Sequence, residues 1–386
     1  MTSGIDEILA ASAADTDSYG HPPAVLRIGL LGCGVVGSSV ARILLQEAEK
    51  VSSAAGVKLE LARVAVRDPA KIRPVELPPE IVTTDAGAVA TDPSVDILIE
   101  VIGGLDLPRA LIVSALSAGK SVVSANKELL GVEGRRLAQV AEEYETDLFF
   151  EAAAGGAIPI VAALRGSLAA EDITRIIGVV NGTTNFVLEQ MESGLDLRAA
   201  VEAARVRGYA EQDPRADLEG QDAAAKIAIL ASLAFEGWIS VEEVECAGIS
   251  SLTPEVVVRA RSLGYAVRLV AAAERSGGKV SLRVGPALVE RDSVIGKVPG
   301  AVNAIEVTCT NGGRLVFQGQ GAGGDPSASA VIADVVAAAR NRALGVRSPL
   351  VAQSSSLEPT RAAPLRELEL VNGSGLDGIL PVVEVE

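Results

Sequence analysis

The sequence predicts an α/β chain: a doubly wound parallel sheet in its first half, followed by a mixed α+β unit. Three observations carry this. Short apolar runs alternate with helical patterns from residue 25 to residue 150. A glycine-punctuated turn follows the first of these runs. Past Gly155-Gly156 the alternation stops, and helices and strands come in groups. Strand and helix in strict alternation are what a parallel sheet with crossover helices requires.

Residues 25–31 (VLRIGLL) read as a buried strand, followed by Gly32, Gly34, Gly37 and a helical segment to about residue 49. Residues 58–66, 81–83 and 96–102 are the next strands. Residues 108–118 form a helix, with Pro108 in its first turn and Gly119 past its end. A strand at 121–125, a helix at 128–145 and a strand at 147–150 complete the first unit. In the second unit, 158–168, 185–193, 197–207 and 222–233 look helical. Strands are expected at 173–180, 268–273, 280–284, 305–309 and 315–318, and a last helix at 327–340. The expected organisation is a flexible acidic leader (1–24), a nucleotide-binding unit (25–152) and a substrate-binding and dimerisation unit (153–325). A helix returning to the first unit (326–345) and a tail of unassigned structure (346–386) follow.

Composition narrows the chemistry. The 386 residues are 48% hydrophobic and 22% charged, enough apolar surface for packed cores. Only 3% are aromatic, so those cores rest on Ala, Val, Leu and Ile. The single histidine, His21, lies in the leader, which disfavours His-based triads, dyads and zinc sites. Cys33, Cys246 and Cys309 are too dispersed for a CxxC zinc motif and too few for a disulfide framework, which fits a reducing cytoplasm. The net charge of -16 disfavours nucleic acid and anionic membranes as partners. The N-terminal segment has acids where a secretory signal is basic, and no stretch reads as a membrane span.

Gly32-Cys33-Gly34-Val35-Val36-Gly37 matches G-x-G-x-x-G between a strand and a helix, the Rossmann dinucleotide context. The first glycine turns the chain, the second admits a pyrophosphate, and the third lets helix and strand pack closely. Where an NAD site usually carries an acid after the second strand, this chain has Arg67, with Lys71 beyond it. A cation there suits a 2′-phosphate, so NADP(H) is favoured over NAD(H).

The richest polar segment, GYAEQDPRADLEGQDAAAK (208–226), carries Glu211, Asp213, Asp217, Glu219 and Asp222. Asp222 and Lys226 are four apart at a helix start and share one face. The helix then runs apolar, so Lys226 enters a buried environment. Burial penalises an ammonium and a carboxylate neighbour restores it, which is the tuning a general acid needs. The surrounding acids form a solvated loop, or offer a site for a substrate ammonium. Lys127, in SANK, stands at the end of the fifth strand, where ligands of open α/β sheets sit. The polar turn at 181–185 offers N–H groups and hydroxyls to a carboxylate, or is an ordinary helix cap.

Together with EVIGG (100–104), EAAAGGAIPI (151–160), NGTTN (181–185) and GQGAGGDPSASAVIAD (319–334), these motifs resemble homoserine dehydrogenase over residues 26–342. The resemblance implies reversible NAD(P)H-dependent reduction of aspartate 4-semialdehyde to homoserine, on the route to threonine, methionine and isoleucine. By resemblance, Lys226 is the proton donor, Lys127 the second active-site lysine and Asp222 the carboxylate beside them. Thr183, Glu211 and Asp217 are substrate contacts. Gly103, Ser124, Lys127 and Gly321 join the glycine loop around the cofactor. The carbonyls of Glu151, Ala154, Gly156 and Ile158 are a loop for a monovalent cation, Na+ or K+. A homodimer is expected. Residues 346–386 are too short for the threonine-sensing ACT domain of many bacterial members, so that feedback is not expected. Two other readings compete: a non-catalytic NADP-binding sensor, and a dehydrogenase for another amino-aldehyde.

Overall fold

The computed structural model describes residues 25–348, 350, 358–359 and 382–383. The leader with His21, and most of the tail, lie outside the described residues. Two sheets organise the rest. The first has strand order β3-β2-β1-β4-β5-β6. Its strands are β1 (Val25–Leu31), β2 (Lys58–Ala65), β3 (Val82–Thr83), β4 (Ile97–Glu100), β5 (Ser121–Ser124) and β6 (Leu148–Phe149). Every pairing in it is parallel. The order reverses between β1 and β4, and that reversal opens a crevice at their C-terminal ends. Residues of β4 and β5 are buried throughout, as strands covered on both faces must be.

Helices α1 (Val35–Gln46), α2 (Ala48–Ala55), α3 (Ala86–Thr91), α4 (Asp106–Ser117) and α5 (Lys127–Glu143) cover this sheet. The one helix expected up to residue 49 is therefore two, α1 and α2, meeting at Glu47. α5 begins at Lys127 because the Asn126 side chain caps it, accepting from Leu129 N at 3.1 Å.

Next come the short helices α6 (Glu151–Ala154) and α7 (Ile160–Arg165); α7 is the helix expected at 158–168, in shortened form, and α6 precedes it. The second sheet is mixed, with main order β12-β11-β7-β9-β10-β13. It contains β7 (Ile173–Val179), β8 (Glu245–Cys246), β9 (Tyr265–Ser276), β10 (Lys279–Glu290), β11 (Val302–Cys309) and β12 (Gly313–Gln320). Two short strands, β13 (Glu358–Pro359) and β14 (Val382–Val383), pair with β10. Helices α8 (Gly182–Glu192), α9 (Leu197–Val206), α10 (Arg215–Leu218), α11 (Gln221–Ala234) and α12 (Pro254–Ser262) belong to this half. α8 starts three residues earlier than its apolar pattern suggests, because Asn181 caps it through Thr184 N.

α11 is buried from Asp222 to Ala234, as a helix apolar on all sides must be. It packs against α5 and the second sheet, so it joins the two halves. The last helix, α13 (Gly324–Leu344), returns to α1 and α2. Its Ala328, Val331, Val335, Ala338 and Ala339 share one apolar cluster with Leu26, Ile28 and Leu30 of β1.

Candidate active site

The glycine loop leaves β1 and enters α1. Gly32 has φ +97°, a left-handed turn that disfavours side chains. A Cβ on Gly37 would lie 2.1 Å from the Gly32 carbonyl oxygen, so this position must be glycine. A Cβ on Gly34 would meet nothing within 4 Å, which leaves an open face. The α1 N-terminus has no side-chain cap and no acid in its first turn, so its N–H groups and partial positive charge remain for an anion. Val35 is exposed and Val36 half-buried at this mouth. These features fit a dinucleotide pyrophosphate.

The loop opens on a cavity of about 480 Å³ lined by Gly32, Gly34, Arg67, Lys71, Arg73, Ile102 and Gly103, among others. Arg67 is exposed at its rim. Arg73, which the sequence reading passed over, binds the Asp68 carbonyl at 2.6 Å and the Lys71 carbonyl at 2.7 Å, so it ties the rim loop to itself. Opposite, Glu100 accepts from Ile102 N, Gly103 N and Ser124 Oγ, at 2.9, 3.1 and 2.7 Å. It thereby fixes the turn after β4 against the end of β5.

The polar centre lies where β5, β7 and α11 converge. Lys127 pairs with Asp222 Oδ1, and Lys226 Nζ lies 2.8 Å from Asp222 Oδ2. Lys226 also donates to the Val180 carbonyl at 2.7 Å. Asn181 Nδ2 bridges Asp217 Oδ1 at 2.7 Å and Asp222 Oδ2 at 2.9 Å. Burial works to raise the Asp222 pKa, but the ammonium groups of Lys226 and Lys127 outweigh it and hold the carboxyl well below its usual range. Burial also works to lower the Lys127 pKa; the Asp222 charge and hydrogen bond overcome it, and the net shift is upward. Asp217 moves the other way: burial, with Asp222 adding, raises its pKa against the Asn181 hydrogen bond.

Of the five acids in this segment, two face the lysines. Asp213 is bound to Arg215 instead, and Glu219 to Ser250. The acidic cluster expected around a substrate ammonium is therefore smaller than the sequence suggests. Glu211 is exposed on the loop before α10, and its backbone carbonyl accepts from Arg205. The Thr183 hydroxyl donates to the Tyr209 carbonyl at 2.7 Å, which uses its one hydrogen. That leaves the Thr183 backbone N–H, in the first turn of α8, for a substrate carboxylate.

The loop from Glu151 to Ile158 is compact. A Cβ on Gly155 would lie 2.2 Å from the Ile158 carbonyl oxygen, and one on Gly156 2.3 Å from the Gly321 carbonyl oxygen. The Glu151 carboxylate accepts from Val161 N and Ala162 N at 2.7 and 2.6 Å, so it caps α7. Burial raises its pKa against those backbone bonds. Ala154, Gly156 and Ile158 are buried alongside it. Two of the loop's carbonyls already hold a backbone donor, Glu151 O from Gly155 N at 3.2 Å and Ile158 O from Ile160 N at 2.8 Å. Gly321, directly after β12, packs on Gly156.

Two family models match the chain: "Homoserine dehydrogenase, NAD binding domain" over residues 32–151 and "Homoserine dehydrogenase" over 159–336. The homoserine dehydrogenase of Corynebacterium glutamicum is 43% identical over 346 residues, 88% of this chain and 78% of that protein. The Mycobacterium leprae enzyme is 46% identical over 83% of this chain and 74% of its own length. The chain belongs to the homoserine dehydrogenase family. The crystal structure of a homoserine dehydrogenase from Thiobacillus denitrificans superposes with a TM-score of 0.83 at 35% identity, covering 89% of this chain and 81% of that one. A hyperthermophilic archaeal homoserine dehydrogenase solved with NADPH gives 0.68 at 28% identity, over 81% and 97% of the two chains. As a homoserine dehydrogenase, the chain is a nicotinamide-dependent oxidoreductase.

Within this homoserine dehydrogenase frame, some polar groups went unsingled by sequence: Glu100, Asn126, the Val180 carbonyl and Asn303. Asn126 carried a signal, a capping residue directly before a helix. The Val180 carbonyl carried none, because a backbone oxygen has no residue type.

Proposed function

We propose that the Lys127–Asp222–Lys226 cluster carries the proton transfer in reversible reduction of aspartate 4-semialdehyde to homoserine. The observation that carries this is the bonding of Lys226. Its ammonium has three N–H donors; one is held by Val180 O and one by Asp222 Oδ2. The third is left for the aldehyde oxygen, where negative charge develops. Lys226 stabilises that charge and gives up the proton as the alcohol forms. Asp222 fixes both lysines, and Lys127 adds a second positive charge. Glu211 and Asp217 bind the substrate ammonium, and Thr183 its carboxylate.

Gly32, Gly34, Val35, Val36, Gly37, Gly103, Ser124, Lys127 and Gly321 hold the dinucleotide, and Arg67 with Lys71 takes a 2′-phosphate, favouring NADP(H). When bound, the nicotinamide supplies the hydride and accepts it in reverse. The carbonyls of Glu151, Ala154, Gly156 and Ile158 hold a monovalent cation. Residues 25–152 form the cofactor unit and 153–325 the substrate unit, with α13 closing the first. The enzyme works in the cytoplasm as a homodimer. In support, β12 ends the second sheet with β11 as its strand neighbour among the described residues.

The test is homoserine oxidation measured with NADP and NAD side by side, for the native chain and for Lys226→Ala. Turnover with NADP is expected, reduced about 10²–10⁴-fold in the variant. Undiminished turnover in Lys226→Ala rejects the lysine assignment, and none with either cofactor rejects the reaction.

A further inference from the structure

Asn303 stands at the start of β11, where the pairing of Ala304 with Val179 sets it beside Val180. It is 1% exposed. Its Nδ2 donates to the Val180 carbonyl at 2.9 Å, the same oxygen that Lys226 Nζ binds at 2.7 Å. A carbonyl has two lone pairs, so the two donors together fill it. Which end of the amide faces Val180 is fixed, since two oxygens there would repel. The other end, Oδ1, is buried with no hydrogen-bond partner among the described residues. Gly321 lies flat on this amide; a Cβ there would be 1.8 Å from Nδ2.

An unpaired buried acceptor is a cost that leucine, of similar size, does not carry. Retention of an amide here points to its donor end. We propose that Asn303 is a positioning residue for Lys226: by sharing the Val180 carbonyl it fixes the direction from which that oxygen holds the ammonium, and so aims the free N–H. Asn303 touches neither substrate nor reacting atoms in this role; it acts through Val180. The inference rests on the reading of Lys226 as the proton donor.

The test compares Asn303→Leu, Lys226→Ala and the double variant. In Asn303→Leu, Val180 keeps Lys226 as a donor and the unpaired Oδ1 is gone. Expected are a melting temperature no lower than that of the native chain and a kcat lowered about 10-fold or more. KM for homoserine and for NADP should stay within about two-fold. In the Lys226→Ala background the same substitution should have no further effect on kcat. Unchanged kcat in Asn303→Leu overturns the proposal. So does a kcat loss that tracks a fallen melting temperature, or one that recurs in full in the double variant. Full activity of Lys226→Ala alone instead overturns the lysine assignment.

Discussion

At Asp222 burial and charge pull the pKa in opposite directions, and two lysines decide the outcome. The sign of the resulting pH dependence follows. A carboxyl whose folded pKa lies below its ordinary 3.8 stabilises the fold above that value, and the contribution is lost as pH falls below it. Lys127, raised from 10.5, contributes below that value and loses its share as pH rises beyond it. The cluster should therefore support the fold evenly across neutral pH. Asp222→Asn leaves two lysines facing a neutral amide, one of them buried, and should cost about 3–5 kcal/mol by denaturant titration at pH 7. The difference from the native chain should shrink as pH falls below 3.8. Arg67 is a separate case because it is exposed and its proposed role is toward a ligand. Arg67→Ala should lower kcat/KM for NADP about 10-fold or more, from loss of a charge-assisted bond of about 1.5–3 kcal/mol. Its NAD kinetics should not change, and equal losses with both cofactors would count against a 2′-phosphate role.

Two helices carry Lys127 and Lys226, and their packing sets where those side chains stand. α5 brings Lys127 from the nucleotide-binding half, and α11 brings Lys226 from the centre. Gly134 lies midway along α5, against Trp238, the chain's one tryptophan. A Cβ at Gly134 would be 1.6 Å from Trp238 Cζ2. Gly134→Ala gains about 0.5–1 kcal/mol in helix propensity. It loses about 1–3 kcal/mol to overpacking, so destabilisation wins. A lower melting temperature and a shifted tryptophan emission should report it; a stabilised variant would show that the ring yields freely. Element identities were largely legible because apolar periodicity and caps are local. Boundaries moved where a polar side chain closed the first turn, as Asn181 does for α8. α2, α3 and α12 do not stand out as separate helices in the sequence; their patterns are short and their burial depends on neighbours far along the chain.

For the whole molecule, sedimentation should give twice the mass of one chain, and a monomer at micromolar concentration would remove the dimer proposal. The sequence by itself determined the glycine loop, the alternation that makes a parallel sheet, and the Asp222–Lys226 pair. Each depends on residues within a few positions, where backbone geometry fixes who meets whom. It also excluded histidine chemistry from residues 25–386 by simple absence. Only the tertiary structure decided that Lys127 reaches Asp222, that Asp213 and Glu219 turn away, and that Asn303 shares the Val180 carbonyl with Lys226. Apart from Asp213–Arg215, two residues apart, those contacts join residues far apart in the chain. Their partners are chosen by the packing of α11 between α5 and the second sheet, and no local pattern encodes that choice.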